Sequence, residues 1–207
     1  MPNRWRYFLA GFVLVAILVS AVVFLRLRHN QAKLPTVEDD FVRAKGPVDA
    51  PVQMIEYSDF ECPACQLAQA TLRELMTQYP AKIRLIYQHF PLSGHKFSPL
   101  AHRAAECAAH EKKFWEYHDR LYAEQSHWSA SAEPPIEAFL SYARDAGLNV
   151  ETFARCLADA SVDQKIQQER LAGEDLGVRS TPTFFVNGRM VAGILNLAEE
   201  VRKSIKS

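Results

Sequence analysis

The sequence predicts an α/β domain with an inserted helical subdomain, preceded by a membrane-spanning helix. Three observations predict it: a strand, helix and strand in succession over residues 52–90, purely helical periodicity over 98–176, and a hairpin signal over 183–192. A chain of 207 residues that is 48% hydrophobic holds one well-packed domain plus an appendage, and is short for two enzymatic domains.

The appendage comes first. Tyr7 to Leu25 is an uncharged apolar run; as a helix of about 19 residues it rises about 28 Å, close to the thickness of a bilayer's hydrocarbon core. Arg4 and Arg6 precede it and Arg26, Arg28 and Lys33 follow, so flanking charge does not set its orientation. Val19-Ser20-Ala21 would serve as a cleavage site, but the apolar run continues through Leu25, which favours a retained signal-anchor over a cleaved signal or a buried core helix. The chain then divides into a cytoplasmic tail (1–6), an anchor (7–25), a polar tether (26–47) broken by Pro35, Gly46 and Pro47, and an exported domain (48–207).

Within that domain Val52–Ser58 reads as a strand. An amphipathic helix follows through Leu67, Ala68, Leu72, Leu75 and Met76 until Tyr79-Pro80 stops it, and Ile83–Phe90 is a second strand. The crossover implies that the two strands are parallel. Helical segments are expected at Leu100–Cys107, Phe114–Glu124, Ile136–Ala146, Val150–Ala158 and Val162–Leu176, with Pro134-Pro135 and Gly147 as breaks. Thr183–Val186 and Arg189–Ala192 flank Asn187-Gly188, which suits the positive φ angles of a type I′ turn. A helix over Leu197–Ile205 ends the chain.

The 24 basic side chains balance 24 acidic ones. Five of the basic groups lie before Pro35, where no acid stands, so the remainder carries about five net negative charges and no footprint for nucleic acid. Phosphate-loop and nucleophilic-serine motifs do not occur. Of four cysteines, Cys62 and Cys65 form a C-x-x-C and Cys107 and Cys156 stand far apart. No second close pair or closely spaced histidine pair accompanies them, so a zinc site is not expected. His89, His95, His102, His110, His118 and His127 are scattered and read as surface or capping side chains. Phe114, Trp115, Tyr117, Leu121 and Tyr122 form a stripe at helical spacing and read as core rather than a peptide groove.

Cys62-Pro63-Ala64-Cys65 follows a strand and opens a helix. There the unpaired N–H groups and the helix dipole stabilise a thiolate at Cys62, the expected nucleophile. Pro63 costs nothing in the first turn. Cys65, about one turn deeper, can attack a mixed disulfide at Cys62 and so is the expected resolving thiol. No cofactor is needed beyond this redox-active pair.

YSDFECPACQ, a helical stretch and then GVRSTPTFFVNG together resemble the DsbA-like family of thioredoxin-fold thiol:disulfide oxidoreductases, from about Pro51 to the C-terminus. The resemblance implies a thioredoxin-like fold with a helical insertion. It also implies that Glu56 is a buried acid near Cys65, against the alternative of a solvated strand glutamate, and that Thr181-Pro182 is a cis-proline loop presenting backbone to substrate beside Pro63 and Ala64. By periodicity alone Pro182 is an ordinary strand-start proline. It further implies a structural disulfide between Cys107 and Cys156, the other reading being two separate buried thiols. The family's strongest oxidants carry His where this chain has Ala64, which implies a potential between the thioredoxin-like and the most oxidising extremes. Implied partners are cysteine-containing exported proteins and a membrane quinone-linked thiol oxidase, at a bacterial cytoplasmic membrane with the domain in the periplasm or on the outer face. A reductase or isomerase fed by an electron donor, and a non-catalytic binding or chaperone module with a fixed disulfide, are the alternatives.

Overall fold

The computed structural model describes Ser20 and residues 41–206. The anchor over 7–25, the tail before it and the tether up to residue 40 lie outside the described residues, Ser20 apart. Among the described residues no helix is long and apolar enough to cross a membrane.

A 3-10 turn (Phe41–Arg43) leads into β1 (Ala44–Lys45) and β2 (Val52–Ser58), followed by α1 (Pro63–Gln78) and β3 (Ile83–His89). The inserted helices are α2 (Ser98–His110), α3 (Phe114–Ala123), α4 (Gln125–Ser129), α5 (Ile136–Asp145), α6 (Val150–Ala158) and α7 (Asp163–Asp175). β4 (Thr183–Val186), β5 (Arg189–Ala192) and α8 (Leu197–Lys206) complete the domain. The sheet runs β1-β3-β2-β4-β5. β2 and β3 are parallel, as the crossover requires, and the other pairings are antiparallel. Asn187 and Gly188 both adopt positive φ (46° and 85°), as the hairpin turn demands.

Two differences from the sequence expectation have clear causes. The domain does not begin at Val48: β1 pairs with β3, and Arg43 is buried, its guanidinium clasped by Glu169 of α7 and 3.6 Å from Glu106 of α2. Two residues are too short to show strand periodicity, and nothing local marks an arginine whose partners lie far along the chain. The polar residues of β2 also do not mark a solvated face, because this central strand is covered on both faces and even Glu56 and Ser58 are fully buried. Gln125–Ser129 forms a short helix that the sequence did not announce.

One apolar cluster joins Phe60 and Tyr87 to Phe114, Tyr117, Leu121, Tyr122 and Phe139 of the insertion. A second joins Val52, Met54 and Leu85 of the sheet to Leu72 of α1 and to Leu197 and Val201 of α8. The aromatic stripe is therefore core, with only Trp115 half-buried. α7 crosses β2 so closely that a Cβ on Gly173 would lie 2.8 Å from the Tyr57 ring. Cys107 and Cys156 are joined by a disulfide between α2 and α6, 49 positions apart.

Candidate active site

Strand direction assembles the site. β2 and β3 run parallel and pair Ser58 with His89, so their carboxyl ends lie together. β4 runs the other way and pairs Thr183 with Tyr57, which brings the residues just before β4 to that same end. The turn after β2, the loop after β3 and the cis Thr181-Pro182 peptide thus meet around Cys62.

Cys62 caps α1 in extended conformation, with Pro63 at the first helical position. Its carbonyl accepts the N–H groups of Cys65 and Gln66 at 3.1 Å each. Cys62 Sγ donates to the Thr181 carbonyl at 3.5 Å, and the Thr181 hydroxyl beside it is buried with no partner in the dithiol. Cys65 is wholly buried and its Sγ accepts the Asp59 N–H at 3.5 Å. Both are free thiols. The Cys65 side chain, hydrogen-bonded to Cys62, lowers the Cys62 thiol to about 5. Burial opposes this, while Thr181 and the N–H groups of Cys65 and Ala64 add to it. Burial pushes Cys65 well up, and the Cys62 charge pushes it further. One sulfur is made acidic and the other is kept protonated.

Glu56 is fully buried, with Oε1 accepting from Gln69 Nε2 at 3.1 Å and Oε2 unpartnered. Burial raises its carboxyl to about 7, although Ser58 and Gln69 pull the other way. A carboxyl poised there can hold or release a proton at neutral pH.

The site contains residues that sequence reasoning missed. Asp59, three positions before Cys62, is fully buried. Its carboxylate accepts from the N–H groups of Glu61 and Leu92 and from His95 Nδ1, each at 2.8 Å. Gln125 of α4 donates to the carbonyls of Phe60 and Cys62, and Gln66 donates to the Tyr122 carbonyl, tying the insertion to the catalytic turn. The surface reading fails for three histidines: His89, His102 and His118 are buried, held by one another, by carboxylates and by the aromatic core. The motif D-F-E-C could have flagged Asp59; nothing in the sequence links Gln125 to a carbonyl about 60 positions away. Among the described residues no cluster of three or more His, Cys, Asp or Glu is arranged to hold a metal ion.

A thioredoxin family model matches residues 39–207. The chain belongs to the thioredoxin family. The match begins before Val48, in keeping with the buried Arg43. Within this thioredoxin fold the DsbA-like arrangement is shared with solved structures. A thioredoxin-like oxidoreductase from Silicibacter pomeroyi superposes with a TM-score of 0.67 at 27% identity, over 82% of this chain and 98% of that one. The thiol-disulfide exchange protein alpha-DsbA2 from Wolbachia pipientis gives 0.66 at 22% identity, over 79% and 84%. By sequence, the Na(+)/H(+) antiporter NhaA 3 of Salinispora tropica is 39% identical over 162 residues, which is 78% of this chain and 24% of that protein. The thioredoxin chain thus spans about a quarter of the length of the curated relatives it matches.

Proposed function

We propose that the chain is a thiol:disulfide oxidoreductase that introduces disulfides into exported proteins through Cys62 and Cys65. The observation that carries this is the asymmetry of the pair: Cys62 caps the start of α1 against the Thr181 backbone with 7% of its surface exposed and an acidic thiol, and Cys65 is wholly buried with its thiol pushed up. A substrate thiolate attacks Cys62 Sγ of the oxidised pair; the intermolecular S–S bond forms as the Cys62–Cys65 bond breaks, and Cys65 departs with the electron pair and takes up a proton. A second substrate thiolate then attacks the substrate sulfur and expels Cys62 as a thiolate. The substrate loses two electrons and the pair gains them. The acidity of Cys62 makes it the better leaving group and stabilises the dithiol state, which favours this direction. The electrons are carried by the two sulfurs, without a further cofactor.

The likeness to an exchange protein and the C-x-x-C at a helix start support this reading. In the same proposal residues 7–25 anchor the domain to a bacterial cytoplasmic membrane, facing the periplasm or outer surface, and a membrane quinone-linked thiol oxidase restores the disulfide. Cys65→Ser tests the chemistry. It should trap mixed disulfides through Cys62 that a reductant releases; if it traps none while Cys62 alkylates like a free thiol, the proposal falls. Equilibration with glutathione should place the pair between about −270 and about −120 mV. A reduced resting pair in cells would instead mark a reductase or isomerase.

A further inference from the structure

Both acids in the turn before Cys62 are tied to the loop after β3. Asp59 Oδ2 accepts from the Leu92 N–H and from His95 Nδ1 at 2.8 Å each, and Glu61 Oε2 accepts the Phe97 N–H at 2.7 Å. Cys62 joins the same turn through its own N–H, which donates to the Asp59 carbonyl at 3.1 Å. Three hydrogen bonds thus dock the loop of residues 92–97 onto the approach to the reactive sulfur. His95 stands on that loop partly exposed, and the exchange steps assign it no task.

The charge of this turn opposes the acidity of Cys62. Burial pushes the Asp59 carboxyl up, but His102 and the N–H groups of Leu92 and Glu61 hold it at about 2, so it is ionised. A carboxylate three residues before Cys62 disfavours a second anion beside it. The groups that lower the Cys62 thiol are Cys65, Thr181 and backbone N–H groups, all of them neutral donors that leave this repulsion in place. His95 is placed to remove it. Partial burial makes its ring less basic, yet the hydrogen bond and charge of Asp59, then the charges of Glu61 and Cys62, outweigh that and raise it. The interaction is mutual: a thiolate that favours the imidazolium is favoured by it to the same extent.

We propose that His95 is a positioning residue for the exchange step: its imidazolium, fixed by Asp59, balances the carboxylate beside Cys62 and so stabilises the thiolate that departs when a substrate disulfide closes. The inference rests on the exchange reading of the pair. In that step a substrate thiolate attacks the substrate sulfur of the mixed disulfide and the substrate S–S bond forms. The bond to Cys62 breaks with its electron pair on Cys62 Sγ, and His95 keeps its proton throughout. The charged and titratable groups facing His95 are Asp59 and Glu61 after β2 and Cys62 at the start of α1. On the far side of Asp59, His102 of α2 stands 3.7 Å from Oδ1. Lys96, next along the loop, turns its ammonium to the Ala132 carbonyl of the insertion at 2.7 Å.

The experiment follows iodoacetamide alkylation of Cys62 in the reduced full chain against pH. His95→Gln keeps a donor for Asp59 without the charge, and His95→Arg keeps both. The Gln variant should move the alkylation midpoint up by about one pH unit, so that the thiolate is about tenfold scarcer below the parent's midpoint. Its equilibrium with glutathione near about pH 7 should shift about tenfold toward the protein disulfide. The Arg variant should keep the parent's midpoint. A Gln variant that ionises like the parent, or an Arg variant shifted as far as the Gln variant, overturns the proposal, because a loop held only by the Asp59 hydrogen bond would give those results. Should the variants fail to fold, imidazole 15N shifts of the unmodified protein decide. His95 should hold its proton to higher pH in the dithiol form, which alone carries the Cys62 charge, than in the disulfide form, and identical curves overturn the proposal. Glutathione disulfide added to the reduced parent tests the exchange reading separately: if no adduct forms at Cys62, that reading fails and the inference falls with it.

Discussion

Cys62 Sγ lies 3.5 Å from the carbonyl oxygen of Thr181, a residue 119 positions further along the chain. A helix start and a strand start are thereby joined into one site, and the acidity of Cys62 becomes a property of the folded domain. In the dithiol form the Cys62 thiol falls from 9.0 to about 5 on folding. A depressed folded value contributes stability that is present above the unfolded value and is lost as pH falls through the folded one. The disulfide form has no such contribution. The stability of the dithiol relative to the disulfide should therefore decline from pH 9 down to about pH 5. Urea midpoints of both forms across that range check it, and alkylation of Cys62 should be half-maximal at about pH 5.

Glu56 carries the opposite sign. Burial raises its carboxyl from 4.5 to about 7, so stability is greatest below the unfolded value and is lost as pH rises through the folded one. Glu56→Gln removes that loss. The variant should match the parent near about pH 4 and exceed it by about 3 kcal/mol near about pH 8, while resolution of a mixed disulfide between Cys62 and glutathione slows, because the carboxyl that Gln69 ties to the Cys65 carbonyl is gone. Urea melts at both pH values and quenched-flow decay measure the two effects.

Gly173→Ala should destabilise the domain by about 1–3 kcal/mol. The added methyl would meet Tyr57 Cε1 at 2.8 Å and Phe90 at 3.0 Å. Tyr57 is buried between Phe90 and Phe185 and has no room to retreat. A lowered denaturation midpoint with an unchanged m-value is the expected result.

Removing the α2–α6 bridge with Cys107→Ser and Cys156→Ser should cost about 2–4 kcal/mol, mainly by freeing the unfolded chain. Because neither sulfur touches Cys62 or Cys65, the alkylation profile of Cys62 should persist. Thermal or urea unfolding beside that profile separates a structural bridge from a catalytic one.

Sequence periodicity located most elements because they obey local rules. Val52–Ser58, Val150–Ala158, Thr183–Val186 and Arg189–Ala192 coincide with the observed ranges. The cysteine pair was legible because its strand-before, helix-after setting is itself local. What escaped was long-range. Arg43 has a role only through Glu169 and Glu106, and His89, His102 and Asp59 are neighbours only once α2 and the loop after β3 are packed. A histidine in a helix reads as a surface group until the fold shows that all its sides are covered.

The clasp of Arg43 on Glu169 sets where the foldable unit can begin. A fragment starting at Val48 would delete both β1 and the guanidinium, stranding Glu169 beneath the surface and uncovering the outer edge of β3. Whatever precedes the domain is thus joined to a residue held in its interior, so a cut made beyond Arg43 removes a buried ion pair along with the polar stretch.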